Sequence, residues 1–240
     1  MCTEKSSWMR EMFDSASKKY VLSNTVLTFG MDGVWRRRVV EEIRPKPGGK
    51  ILDICTGTGD LAFLIARRFP EQNVYGIDYS PKMLSVARDR AKALGLGNLV
   101  LLEGDSSRLP FVNGSFDYVT VSFGFRNLSY SQDILKAVLR EVHGVLNTGG
   151  RFIIIESSQP SGVFIRKVFH VYARTIVPFV GSLFSGRREP YAYLGGSMIK
   201  FYEKPRLVAF LRENGFREEK NVLFMFGAIL LSIFVKEPKC

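Results

Sequence analysis

Short apolar runs alternate with amphipathic helical patterns from residue 50 to residue 155, and this alternation constrains the fold more than any other feature of the chain. It is typical of βαβ units on a parallel sheet. Each run is apolar enough to be covered on both faces, as buried parallel strands are. The strands predicted in this way are residues 51–54, 74–77, 99–102, 118–122 and 152–155.

The segments between these strands predict helices with clear ends. Ser80 can cap one helix, Pro81 suits its first position, and Gly95 can end it. Periodicity predicts two further helices, at about residues 131–146 and 205–215, and a closing antiparallel pair of strands at 222–226 and 228–235. The run from 222 to 235 is too short for a membrane-spanning helix, which needs roughly 20 apolar residues.

The chain has 240 residues, which predicts a single elaborated α/β domain rather than two independent ones. Two segments do not follow the alternation of strands and helices. The first is the N-terminal cap, residues 1–44, for which we expect one or two helices laid over the domain. The second is the aromatic-rich insert, residues 159–204. The cofactor-binding core is predicted at 45–158, and residues 205–240 close the sheet.

The net charge of +11 predicts a surface that attracts anions such as nucleic acid, acidic lipid headgroups or phosphorylated ligands. The cysteines, Cys2, Cys55 and Cys240, have neither metal-ligand nor disulfide spacing, which indicates a reducing compartment. The two histidines, His143 and His170, lie far apart in helical patterns. We therefore expect no metal site.

The sharpest local motif is ILDICTGTGD at residues 51–60, in which a strand runs into a glycine turn and a helix. Gly57 and Gly59 allow a ligand to approach the backbone closely, and the following helix presents free N–H groups. Asp78 ends the next strand, where a carboxylate can accept both hydrogen bonds of a ribose diol. These residues alone fit either a nicotinamide oxidoreductase or a methyltransferase.

Three further features favour a methyltransferase. Asp53 precedes the first glycine by four residues, as does the acid that orients the methionine ammonium in loops that bind S-adenosylmethionine. Asp105 and Ser106 end the third strand, where an acceptor and an N–H can read an adenine edge. The closing antiparallel pair of strands is the third feature, since ordinary dinucleotide-binding domains lack it.

From residue 12 to residue 235 the sequence resembles the ubiquinone/menaquinone biosynthesis C-methyltransferases. The resembling strings are MFDSASKKYVLSNTVLTFGMDGVWRRR, ILDICTGTGDLA, LPFVNGSFDYVTVSFGFRN, GGRFIIIESSQP and YAYLGGSMIKF. The first and third are the most specific, because methyltransferases in general share only the glycine loop. The chain departs from the family pattern at Val21, at Asp32 and at the turn Asn147-Thr148.

The resemblance implies a class I methyltransferase fold, which is Rossmann-like. Its seven-stranded sheet is mostly parallel with an antiparallel C-terminal strand, and it has helices on both faces. The implied cofactor is S-adenosylmethionine, bound by Thr58 in the glycine loop, Asp78 at the ribose, Asp105 and Ser106 at the adenine, and Ser122 at the end of the fourth strand. The implied catalytic residues are Arg126, to stabilise an ionised hydroxyl, Asn127, to orient it, and Tyr20, to close the site.

The resemblance further implies C-methylation of a polyprenylated quinol, and demethylmenaquinol is favoured over a methoxy-benzoquinol. Such a quinol is nearly insoluble, so we expect peripheral association with an anionic membrane on its cytoplasmic face. The aromatic insert would rest on lipid, flanked by the basic residues Arg36 to Arg38, Arg166, Lys167, Arg187 and Arg188. A nucleic-acid methyltransferase is disfavoured, because the chain has neither a Pro-Pro-aromatic motif nor an RNA-binding module. A nicotinamide oxidoreductase, a catalytically dead scaffold and a homo-oligomer remain open.

Overall fold

This computed structural model describes residues 4–17, 20–185 and 188–237. A seven-stranded sheet carries the fold. Its strands are β1 (Lys50–Ile54), β2 (Asn73–Asp78), β3 (Leu99–Glu103), β4 (Phe116–Ser122), β5 (Leu146–Ser157), β6 (Phe216–Phe224) and β7 (Ile229–Lys236). They lie in the order β3-β2-β1-β4-β5-β7-β6, so the chain reverses its direction across the sheet between β1 and β4.

The predicted sheet is confirmed. β1 to β5 pair in parallel, and β7 runs antiparallel between β5 and β6. β6 begins at Phe216, six residues before its predicted start. Its first half, FREEKN, lies at the edge of the sheet and has one apolar residue followed by four charged ones, so it has no continuous apolar run to mark it as a strand.

The helices are α1 (Glu4–Ala16), α2 (Tyr20–Leu27), α3 (Met31–Glu41), α4 (Asp60–Arg68), α5 (Pro81–Ala93), α6 (Phe125–Leu128), α7 (Gln132–Val145), α8 (Val163–Val171), α9 (Val177–Ser185), α10 (Glu189–Lys200) and α11 (Lys204–Glu213). The predicted ends of α5 are confirmed. The Met83 backbone N–H donates to Ser80 Oγ at 3.1 Å, and Gly95 has a left-handed φ of 65° after the last turn.

Helices cover both faces of the sheet because successive residues of each buried strand point to opposite sides. Leu52 and Ile154 pack on one side with α7 and α11. Ile51 and Ile153 pack on the other side with α3 and α4. Both faces of the sheet are therefore shielded from water, which explains why the strands are continuous apolar runs in the sequence.

The N-terminal cap contains α1, α2 and α3, one helix more than expected. Gly30, with a φ of 73°, separates α2 from α3. The insert folds as α8, a π-helical segment (Tyr172–Ile176), α9 and α10. Cys2, Arg187, Cys240 and the Phe184 side chain lie outside the described residues. In the described part of the chain, no helix is both long and apolar enough to cross a bilayer.

Candidate active site

A cavity of about 380 Å³ lies at the carboxyl ends of β1, β2, β3 and β4. Open α/β sheets bind ligands at this edge, next to the point where the strand order reverses. The glycine loop between β1 and α4 forms the floor of the cavity. Residues of α1, α2 and α3 also line it, so the N-terminal cap completes the site.

Gly57 and Gly59 are required by the geometry of the glycine loop. Their φ angles are 57° and 85°, in the left-handed region that side chains rarely adopt. A Cβ at Gly59 would lie 2.4 Å from the Phe63 ring, whereas a Cβ at Gly57 would meet no described atom within 4 Å. Gly59 therefore allows the loop to close onto α4, and Gly57 leaves open space where a ligand can approach the backbone.

Asp78 connects the glycine loop to the end of β2. Its Oδ2 accepts a hydrogen bond from the Gly57 backbone N–H at 2.7 Å, and its Oδ1 accepts one from the Ser80 N–H at 2.9 Å. Burial raises the pKa of the carboxyl above its ordinary value, while these backbone hydrogen bonds oppose the rise. The carboxyl also lines the cavity, where its oxygens can accept hydrogen bonds from the two hydroxyls of a ribose.

Asp53 is almost fully buried at the end of β1 but reaches the cavity. It accepts hydrogen bonds from Thr56 Oγ1 at 2.6 Å and Thr120 Oγ1 at 2.7 Å. Burial raises its pKa to about 7, although both hydroxyls and the nearby Arg36 guanidinium lower it. The carboxyl can therefore ionise in response to a cation, such as the ammonium of an amino acid.

The other cofactor-binding residues predicted from the sequence also line the cavity. Asp105 is fixed by the Ser107 N–H and hydroxyl, both 2.8 Å from its Oδ1, and Ser106 lies buried beside it. Thr58 Oγ1 donates to Asp60 Oδ2 at 2.9 Å. Ser122 Oγ accepts from Arg36 Nε at 2.9 Å. The structure thus brings the predicted cofactor-binding residues together at this cavity, except Gly59, which belongs to the glycine loop but does not line the cavity.

Tyr20 and Asn127 line the cavity as predicted. Burial raises the pKa of the Tyr20 phenol, and the opposing effects come from the nearby Arg126, a hydrogen bond with Asn24, and Arg36. The phenol therefore stays protonated at neutral pH and is able to donate a hydrogen bond to a ligand in the cavity.

Arg126 does not line the cavity. Its Nη1 donates to Glu156 Oε1 at 2.6 Å and to the Phe123 carbonyl at 2.8 Å, and its Nε donates to Ser197 Oγ at 3.2 Å. The expected position at the carboxyl edge of β4 is observed, but the guanidinium is held by a buried carboxylate beside the cavity. It is close enough to Tyr20 to act on the pKa of the phenol.

Sequence reasoning missed Arg36 as a site residue and placed it at the membrane. Its side chain is 7% exposed, lines the cavity, forms an ion pair with Asp32 and lies 5.4 Å above the Phe123 ring centroid. The i, i+4 spacing of Asp32 and Arg36 was the available signal. The apolar part of the wall, also missed, includes Met9, Phe13, Leu128 and Ile134.

The polar groups of the cavity fit S-adenosylmethionine. One carboxylate suits a diol, a second suits an ammonium, and a guanidinium suits a carboxylate. The volume of about 380 Å³ is within the ordinary range for small-molecule sites. Within the described ranges, no group of three or more His, Cys, Asp or Glu side chains could hold a metal ion.

Comparison with known proteins identifies one family of methyltransferases. The sequence model of the ubiE/COQ5 methyltransferase family matches residues 1–236. A demethylmenaquinone methyltransferase of Thermotoga maritima is 42% identical over 214 residues, 89% of this chain and 90% of that protein. The ubiquinone/menaquinone biosynthesis C-methyltransferase UbiE of Geotalea daltonii is 36% identical over 221 residues, 91% of this chain and 92% of that protein.

Solved structures show the same fold at low sequence identity. A SAM-dependent methyltransferase of Aquifex aeolicus superimposes with a TM-score of 0.60 at 18% identity, covering 84% of this chain and 89% of that one. The pyocyanin biosynthetic protein PhzM superimposes with a TM-score of 0.63 at 16% identity, covering 84% of this chain and 54% of that one.

Proposed function

Because the chain belongs to the ubiE/COQ5 methyltransferase family, we propose that it methylates a ring carbon of demethylmenaquinol to give menaquinol. Its cofactor is S-adenosylmethionine. Family membership sets aside the nicotinamide oxidoreductase that the glycine loop alone left open. The observation that carries the proposal is a cavity lined by both the polar cofactor-binding groups and apolar side chains, in a chain whose relatives are named for this reaction.

The carboxylates and the guanidinium hold the two ends of the cofactor. Asp78 binds the ribose diol, and Asp105 with Ser106 binds the adenine edge. Asp53 faces the ammonium of the methionine part, and Arg36 binds its carboxylate. Ser122 and Thr58 orient Arg36 and the glycine loop through the hydrogen bonds described above.

The acceptor must be presented in line with the donor and ionised at one hydroxyl. When bound, the cofactor supplies a methyl group on a sulfonium, so the protein needs no group to activate it. The protein positions the two reactants about 3–3.5 Å apart. A phenol has a pKa of about 10, so its ionised form needs stabilisation at neutral pH. Tyr20 and Asn127 line the cavity and donate hydrogen bonds to the oxyanion.

Arg126 acts as a positioning residue. Its ion pair with Glu156 and its hydrogen bond to Ser197 hold α6, β5 and α10 together around Asn127. Asn127 follows Arg126 directly on α6, so a change in the ion pair displaces the residue that faces the acceptor.

The proposed function is tested with purified protein, S-adenosylmethionine and reduced short-tail acceptors. Mass spectrometry should detect a methylated product from demethylmenaquinol. Asp78→Ala should abolish it, and Asp89→Ala, which changes an exposed carboxylate on α5, should leave it intact. Methylation of the methoxy-benzoquinol alone would replace the acceptor that we propose. Binding of the cofactor without methylation of either quinol would contradict the function.

Peripheral association with an anionic membrane is part of the proposal. The acceptor carries a prenyl tail, and each buried methylene of such a tail favours the bilayer over water by about 0.8 kcal/mol. The net charge of +11 supports attraction to anionic lipid. We therefore expect the enzyme to meet its acceptor at the cytoplasmic membrane surface.

A further inference from the structure

α8, the π-helical segment and α9 form one continuous helix, which we call the insert helix (residues 163–185). The backbone is right-handed helical at both junctions, with φ and ψ of −52° and −51° at Tyr172 and −58° and −51° at Val177. At about 1.5 Å per residue, a helix of this length is roughly 35 Å long.

One side of the insert helix is apolar and exposed, and we call it the apolar ridge. Its residues follow at steps of mainly three to five along the helix. They are Val163, Phe164, Val168, Val171, Ile176, Phe179 and Leu183. Phe164 is 75% exposed and Phe179 is 67% exposed, whereas Phe169, Ala173 and Val177 are buried against the domain. The helix therefore has two apolar faces, and only one of them packs on the protein.

The turn between β6 and β7 adds apolar surface at the start of the ridge. Phe226 is 82% exposed and Met225 is 53% exposed, and both have left-handed φ angles, 56° and 49°. A Cβ at the next residue, Gly227, would lie 3.4 Å from Pro160, just before the insert helix. Left-handed conformations are unfavourable for such side chains, so this turn holds two large apolar groups out of the core at a conformational cost.

A cationic pocket of about 240 Å³ lies between the insert helix and α10. Arg174, Arg188 and Lys200 line it together with Pro178 and Gly196. In the described part of the chain, none of these three cations forms an ion pair. Arg166 on the same helix, by contrast, pairs with Glu203 at 2.8 Å. The pocket therefore presents uncompensated positive charge beside the ridge.

The charge of this segment is one-sided in the sequence as well. Between Glu156 and Glu189 the chain has five Lys or Arg residues and neither Asp nor Glu. A surface that combines a long apolar ridge with more cations than carboxylates is complementary to acyl chains beneath anionic headgroups. A soluble protein partner would require anionic and apolar groups to alternate along a matching groove.

We propose that the apolar ridge and the β6–β7 turn insert into the outer part of an anionic bilayer while the cationic pocket binds the phosphate of one phospholipid. Arginine suits this ligand because its guanidinium binds phosphate oxygens in pairs. The proposal rests on the proposed function only in that the acceptor resides in the membrane. It assigns a lipid-binding role to a pocket outside the active site.

The test is flotation of the full-length protein with neutral phosphatidylcholine vesicles and with vesicles that also contain phosphatidylglycerol. We expect binding to the second kind, weakened by salt. Phe164→Ser/Phe179→Ser should abolish it. The matched control, Leu94→Ser/Val112→Ser, changes two exposed apolar residues elsewhere and should bind like the parent.

The pocket is tested by Arg174→Gln/Arg188→Gln/Lys200→Gln, for which we expect about a hundredfold weaker binding to the anionic vesicles. The control Lys136→Gln/Arg140→Gln/Arg212→Gln removes the same charge from α7 and α11. We expect it to lose less than tenfold. If both triple variants lost the same amount of vesicle affinity, the effect would come from net charge, and the proposed role of the pocket in binding phosphate would be wrong.

Other outcomes also contradict the proposal. One is that the parent protein does not bind anionic vesicles. Another is that the ridge variant binds these vesicles as tightly as the parent, and a third is that the ridge substitutions change only the oligomeric state. If inorganic phosphate bound to the pocket of the parent, and the pocket variant still bound vesicles, the pocket would be a site for a free anion and not for a phospholipid. Methylation of a short-tail quinol should be unchanged in every variant. If the parent did not methylate the quinol, that result would contradict the proposed function but not the binding to vesicles.

Discussion

Arg126 and Glu156 form an ion pair with 2.6 Å between Nη1 and Oε1, and their side chains are only 5% and 1% exposed. The same carboxylate accepts the backbone N–H of Arg126 at 3.1 Å and that of Ser157 at 2.7 Å. One buried carboxylate thus fixes the start of α6 and the end of β5. Because the pair is closed to water, its charges depend on each other.

Arg126→Met should lower the free energy of unfolding by about 3–5 kcal/mol, because it leaves the Glu156 carboxylate buried without a cation. The double variant Arg126→Met/Glu156→Met should recover most of that stability, but its kcat should stay low, because Asn127 is no longer held in place. Urea denaturation and kcat separate the two effects. If Arg126→Met kept full stability and lost turnover, Arg126 would act on the acceptor directly.

Asp53 should make stability depend on pH. Its pKa is about 7 in the folded protein, against an ordinary value of 3.8. Between these values the folded state holds a proton that the unfolded chain has lost, so the free energy of unfolding falls as pH rises from about 4 to 7. The slope is at most about 1.4 kcal/mol per pH unit. Asp53→Asn should make the free energy of unfolding nearly independent of pH in this interval, as thermal unfolding measured at several pH values would show.

Asp53 should also couple cofactor binding to proton release. The positive charge of the cofactor favours the ionised carboxylate, so affinity should rise between pH 6 and 7.5. Calorimetry in two buffers with different ionisation heats measures the proton released. Asp53→Asn should remove this release, and an unchanged release in that variant would mean that another group, such as Asp78, ionises instead.

The sheet could be predicted from the sequence because buried parallel strands are continuous apolar runs, and their ends locate the ligand site. Asp53, Asp78 and Asp105 follow directly from this rule. β6 could not be predicted in full, because this edge strand, FREEKNVLF, carries four consecutive charged residues in its first half.

The contribution of the N-terminal cap could not be predicted in the same way. Arg36 reaches Ser122, 86 residues away, only because α3 packs over the sheet. Helical periodicity also shows that most of the surface of the insert helix is apolar, but it cannot tell which of the two apolar faces packs on the domain. Phe169 and Phe164 lie five residues apart, yet one packs on the domain and the other faces solvent.

Arg36→Gln tests whether this guanidinium binds the cofactor carboxylate. The variant should bind S-adenosylmethionine and S-adenosylhomocysteine about tenfold to a hundredfold more weakly, as expected when a charge-assisted hydrogen bond is lost. Methylthioadenosine lacks the amino acid part, so its affinity should not change. Calorimetry with the three ligands gives the answer. Equal weakening for all three would indicate that Arg36 only supports the shape of the cavity.

Tyr20→Phe tests the role of the phenol as a hydrogen-bond donor. Since burial raises the pKa of Tyr20, the hydroxyl keeps its proton from pH 6 to 9 and can stabilise an ionised acceptor throughout. Removing it should lower kcat about a hundredfold, as loss of one oxyanion donor does, with the cofactor affinity unchanged. Tyr202→Phe, which changes a partly buried tyrosine stacked on Phe210, is the matched control and should keep the parent kcat. The shape of the kcat–pH profile should be the same in parent and Tyr20→Phe. If the variant lost a titration that the parent shows between pH 6 and 9, Tyr20 would be the proton acceptor instead.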